Sequence, residues 1–163
     1  MKILPSSFGL SSIGKKLIMS ISGLFLMVFL LLHLGLNMAA IFSESAYNAV
    51  CEFMNTNLLI QLMVPVLALG FVVHICLAIY LSWCNLWARP VGYAVGTKTK
   101  TTSWAAQNML VLGLIVIGLL AVHLSHFWAK MQLQEFIGGH PAENPYLLVK
   151  ETFENPVWAL IYL

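Results

Sequence analysis

An all-α transmembrane helical bundle is the fold class this sequence predicts, and three observations carry that expectation. Apolar residues make up 60% of the 163-residue chain and charged residues only 9%, whereas soluble domains are about half apolar and a quarter charged. Three apolar runs, 17–42, 58–84 and 104–129, contain no Asp, Glu, Lys or Arg, and about 20 such residues cross a bilayer. The segments that flank the runs alternate between basic and acidic, as segments on opposite sides of a membrane do.

Each run must be helical in lipid, because the hydrocarbon has no water to bond the backbone. The first follows Lys2, Lys15 and Lys16. It is longer than the apolar core of a signal peptide, about 7–15 residues, and no A-x-A site follows it, so it reads as a span that is retained. The second carries Pro65 in its first third, where a kink is expected. A fourth run begins at Pro156, and only its first residues, 156–163, are present. With no repeat, low-complexity tract or soluble domain, 1–163 reads as a single membrane domain of three complete spans and the start of a fourth.

Orientation follows from charge. Lys2, Lys15 and Lys16 precede span one, and Arg89, Lys98 and Lys100 separate spans two and three, with no acid in either segment. Glu44 and Glu52 lie between spans one and two, and four glutamates against two lysines follow span three. Basic residues favour the cytoplasmic side, so the expected protein is multi-pass with its N-terminus inside. Trp83, Trp87, Trp104 and Trp128 mark the span borders. A net charge of +2 without a basic stripe gives no reason to expect nucleic acid. Cys51, Cys76 and Cys84 are odd in number and form no C-x-x-C pair, which argues against a disulfide framework, a zinc knuckle and covalent haem attachment.

Four of five histidines, His33, His74, His123 and His126, lie within the apolar runs. Ionisable groups there are costly and usually functional. With no acids beside them a proton relay is poorly supplied, and neutral imidazoles in a dry bundle suit haem iron. At about 1.5 Å per residue, His33 and His123 lie roughly 24 and 28 Å from the inner ends of their spans, and His74 about 15 Å. His33 and His123 thus share the outer half of the membrane and could ligate one iron. His74 lies deeper toward the cytoplasm, and its partner would come from a fourth span. Gly70, one turn before His74, would let a flat ring approach that backbone. Ser22 and Asn37 share the His33 face and could bond a haem or a neighbouring helix. For each histidine the plainer reading, a hydrogen bond to a neighbouring helix, stays open. His126 could touch a haem propionate or a quinone, but an interfacial hydrogen bond is its favoured reading, whereas His140, in Gly-Gly-His-Pro, reads as a loop residue.

These placements sit within stretches that resemble a known family. They are Ser11-Ser12-Ile13-Gly14-Lys15-Lys16 with Ser22-Gly23, His33-Leu34-Gly35-Leu36-Asn37, and Val73-His74-Ile75. They continue with Ala88-Arg89-Pro90 and Tyr93, Thr102-Ser103-Trp104 with Asn108-Met109, and Val122-His123-Leu124-Ser125-His126-Phe127-Trp128. Over essentially the whole chain they resemble the di-haem cytochrome b membrane anchor of succinate dehydrogenase and fumarate reductase (complex II), in its short form from bacteria that use menaquinone. The resemblance implies two haems b, with His33 and His123 as axial iron ligands of the outer one and His74 as a ligand of the inner. It implies a bacterial cytoplasmic membrane, a flavoprotein and an iron–sulfur protein as partners, and electron relay to menaquinone as substrate. Dicarboxylate chemistry would belong to the flavoprotein, so this chain is an electron-transfer subunit and not itself catalytic. The family has five spans, so the chain reads as a fragment that stops before the second inner ligand. Gln107 departs from the basic residue more usual there. Two rivals remain: the cytochrome b subunit of a hydrogenase or formate dehydrogenase, and a haem-free helical scaffold.

Overall fold

The computed structural model describes residues 11–88, 103–134, 137–140 and 144–162. Lys2, Arg89, Pro90, Tyr93, Lys98, Lys100, Thr102, Glu135 and Glu143 lie outside them. The described residues are helical, with no strand among them. Three helical stretches are long and apolar enough to cross a membrane: Ser12–Phe42, Leu58–Trp87 and Met109–Leu133. The helices sort into two compact units.

The first unit pairs α1 (Ser12–Asn37) with α4 (Leu58–Trp87). Helix α1 starts five residues ahead of the apolar run because Ser11 caps it, its Oγ accepting from the Gly14 amide at 3.1 Å. Asn57 caps α4, its Oδ1 accepting from the Leu59 and Ile60 amides. Helix α4 continues through Pro65 to Trp87, one turn beyond the expected border. Lys15 meets Tyr80, Ser22 meets His74 and Phe29 meets Phe71; numbers rise on one helix as they fall on the other, so the pair is antiparallel. Gly70 makes close packing possible: a Cβ there would lie 2.9 Å from Cε1 of Phe25. The flat ring against Gly70 is therefore a phenyl of this chain. Leu26 and Leu77 are this unit's buried apolar residues, while Leu24, Leu31, Leu62 and Leu69 are exposed. Such faces are stable only against lipid or further protein.

The second unit begins with α2 (Ala39–Phe42) and the first nine residues of α3 (Glu44–Thr56). It continues with α5 (Trp104–Gln107), α6 (Met109–His123), a π-helical segment (Leu124–Leu133), α7 (Pro145–Glu154) and α8 (Pro156–Tyr162). The expected third span is thus not one uniform helix. Asn108, at φ −107° and ψ 17°, separates α5 from α6, and its side chain donates to the Trp104 carbonyl at 2.9 Å. Beyond His123 the helix widens into π turns, a rare form that usually occurs as single-turn bulges and often at functional sites. Gly138, at φ +71°, lets the chain turn where the Gly139 amide bonds back to the Gln134 carbonyl at 2.8 Å. Asn-Pro pairs start the last two helices. Asn144 and Asn155 accept from the amides just ahead, and Pro145 and Pro156 stand where no amide donor is needed.

A polar lash joins α3 to α7. Asn48 Nδ2 donates to Asn144 Oδ1 at 3.0 Å, the Tyr146 amide donates to Asn48 Oδ1 at 3.1 Å, and Asn144 Nδ2 donates to Glu44 at 2.6 Å. Tyr47 stands edge-on to Tyr146, ring centroids 6.4 Å apart. Burial pushes the Tyr47 hydroxyl up to about 12, with further contributions from the charge and hydrogen bond of Cys51. The folded-state value exceeds the ordinary 10.0, so the stabilisation is fully present below about pH 10 and is lost as pH rises toward 12. Alkaline titration at the tyrosinate band should show one tyrosine ionising near pH 12, coincident with loss of helicity. Tyr47→Phe should remove that step, and a Tyr47 that ionises near pH 10 would contradict the burial described.

Candidate functional site

Among the transmembrane histidines, His74 has the clearest surroundings. The Ser22 hydroxyl donates to the Met19 carbonyl at 3.1 Å. The same hydroxyl meets His74 Nδ1 at 3.0 Å, where a hydroxyl and an imidazole nitrogen can each donate or accept. In the tautomer that donates from Nδ1, Nε2 keeps its lone pair. Among the described residues Nε2 has no hydrogen-bond partner. A transmembrane hydrogen bond contributes only about 0.6 kcal/mol on average, so this one orients the ring more than it stabilises the fold. Gly23 completes the setting; a Cβ at that position would lie 3.2 Å from His74 Cε1. Ser22, expected on the His33 face, therefore bonds the neighbouring helix.

His33 lies eleven residues beyond Ser22 on α1, roughly 16 Å along the helix and on the same face. Depths counted from the ends of the apolar runs put the two histidines only about 9 Å apart in level. The difference arises because α4 overhangs the start of α1, Tyr80 lying level with Lys15. The Asn37 amide donates to the His33 carbonyl at 2.8 Å and stands 3.3 Å from His33 Nε2. Phe29 stacks on the imidazole with ring centroids 5.3 Å apart. Nε2 of His33 is thus engaged by its own helix, and Asn37 must turn away before a ligand can take it.

In the second unit, His123 closes α6 with its ring 5.1 Å from that of Phe127. His126 lies within the π turns, where three residues fall further short of a full turn than in an α-helix. It is directed at α8: Nδ1 is 3.1 Å from the Tyr162 hydroxyl, and Trp158 stands edge-on at 4.2 Å. These contacts tie His126 to α8 within the second unit. His140 lies outside the helices. Cys51, Cys76 and Cys84 are free thiols.

Among the described residues no group of three or more His, Cys, Asp or Glu could hold a metal ion. A porphyrin iron asks for fewer protein ligands, one or two imidazoles, and the His74 donor set fits that demand. Sequence reasoning missed the π segment, Phe25 as the occupant of Gly70, and Asn37 on His33. Only the last had a signal, the four-residue spacing that makes side chains neighbours on a helix. No protein-family model, no curated protein and no solved structure matches this chain.

Proposed function

We propose that the chain is a haem-b membrane anchor of a succinate:menaquinone oxidoreductase or fumarate reductase. In this reading it lies in a bacterial cytoplasmic membrane with its N-terminus inside. It relays electrons between a flavoprotein with its iron–sulfur partner and menaquinone. The observation that carries the reading is His74, whose Nδ1 meets Ser22 at 3.0 Å and whose Nε2 has no hydrogen-bond partner among the described residues. Second partners of this kind orient metal-binding histidines generally. The motif stretches around His33, His74 and His123 add the resemblance to complex II anchors. Haem bound there supplies a one-electron carrier.

The chain's own residues would do the rest. Ser22 would hold the His74 ring through Nδ1 and leave Nε2 for the iron. The resemblance assigns His33 and His123 to the outer haem, and Asn37 must release the His33 nitrogen before it can serve. The apolar helix faces keep the sites out of water. One observation favours the haem-free scaffold instead: the Asn37 contact to His33 Nε2 is what a packing histidine shows.

The test is the pyridine haemochrome spectrum of the protein purified from membranes with its associated subunits. The reading expects b-type haem that succinate reduces. Haem reduced by hydrogen or formate and not by succinate would move the assignment to the hydrogenase or formate dehydrogenase class. Absence of haem would leave the scaffold.

A further inference from the structure

The membrane-border end of the α1–α4 pair concentrates positive charge that nothing nearby balances. Lys15 and Lys16 lie on the first turns of α1, and the described residues of this unit contain no Asp or Glu. Lys15 is partly buried and fixed in place. Its Nζ donates to the Tyr80 hydroxyl at 3.3 Å and lies 5.0 Å from the Tyr80 ring centroid. An ammonium has three N–H donors, and Tyr80 takes one. Lys16 is exposed, and among the described residues it has no ion pair.

Aromatic residues continue the same surface. Trp83 and Trp87 follow Tyr80 by three and seven residues, on one face of α4, and are 62% and 68% exposed. Exposed tryptophans at a span border sit at headgroup level. A lysine held over a ring has already lost much of its rotamer freedom and presents its charge at that same level.

We propose that Lys15, Lys16 and Tyr80, flanked by Trp83 and Trp87, form a binding site for the phosphate of an anionic phospholipid. Lys15 supplies its remaining N–H donors from a fixed position, and Lys16 adds a mobile second charge. The tryptophan faces cover the glycerol and upper acyl region. The site is independent of haem, and it would hold this end of the pair at the headgroup level of an anionic leaflet.

Native mass spectrometry of the purified full chain in mild detergent, titrated with phosphatidylglycerol or phosphatidylcholine, tests this. Phosphatidylglycerol should be retained in preference to phosphatidylcholine, and rising salt should weaken that preference. Lys15→Gln and Lys16→Gln should each weaken retention about fivefold. Tyr80→Leu should reproduce Lys15→Gln, whereas Tyr80→Phe, which keeps the ring, should lose less. Equal retention of the two lipids, or phosphatidylglycerol binding unchanged by Lys16→Gln, overturns the proposal. Displacement by millimolar inorganic phosphate also overturns it, because the site would then be one for soluble anions. Should Lys15→Gln lose helicity, Lys16→Gln and the salt titration of the unaltered chain decide the matter.

Discussion

His74→Ala should abolish one b-type haem outright, while Ser22→Ala should weaken the same haem by about 10–100-fold. The two substitutions act on one ring by different routes. Alanine at 74 removes the donor nitrogen. Alanine at 22 leaves it but removes the hydroxyl that meets Nδ1, so the imidazole is free to turn. Ser22→Thr, which keeps the hydroxyl, should restore most of the affinity, and Ser22→Cys, a weak acceptor, should not. Haem titration of the purified variants reads the affinity, and the shift of the b-band with added imidazole reads an emptied axial position. A purely structural role for Ser22 predicts a different result: helicity and unfolding would change, and haem affinity in the folded protein would not. Haem content unaffected by His74→Ala would remove His74 from the site.

Gly70→Leu should destabilise the α1–α4 pair by about 1–3 kcal/mol. A Cβ at that position would meet Phe25 at 2.9 and 3.2 Å and Leu26 at 3.9 Å, so the helices must part or the phenyl must leave its place. The control is Gly35, where a Cβ meets nothing within 4 Å. Gly35→Leu should change stability by no more than about 0.5 kcal/mol, as surface substitutions do. Phe25→Ala combined with Gly70→Leu should recover part of the loss, because truncating the phenyl frees the space the leucine needs. Unfolding followed by helicity in a denaturing detergent series measures all of these. Equal behaviour of Gly70→Leu and Gly35→Leu would show that Phe25 does not fill the notch.

The spans were legible because composition alone forces them: twenty or more residues without a charge can satisfy their backbone in lipid only as helices. Their ends were less so. Ser11 carries α1 outward past Lys15 and Lys16, since lysine stems can run along an apolar surface while the ammonium reaches water. Asn108 and the π segment interrupt the third run although no charged residue does, and hydropathy has no term for helix pitch. Helices α3 and α7 lie outside the long apolar runs, where short amphipathic helices carry a weaker signal. Their signals were present in Tyr47, Cys51 and Met54 at helical spacing and in Asn144-Pro145. At the histidines, sequence gave residue type and approximate depth. The Ser22 contact to His74 depends on which side chain stands opposite, and that follows from the antiparallel register of α1 and α4.

The lash between Asn48 and Asn144 sets a timetable for biogenesis. The two residues are 96 positions apart, so a ribosome working at about 5–20 residues per second delivers the second roughly 5–20 s after the first. Throughout that interval α3 has been made but lacks the partner that ties its asparagine and sets a ring edge-on to Tyr47. Helix α3 therefore completes its tertiary contacts only after the whole third span has been inserted. Quality-control proteases would meet a chain arrested before Asn144 with α3 unsecured, and a chain extended past it with α3 fastened.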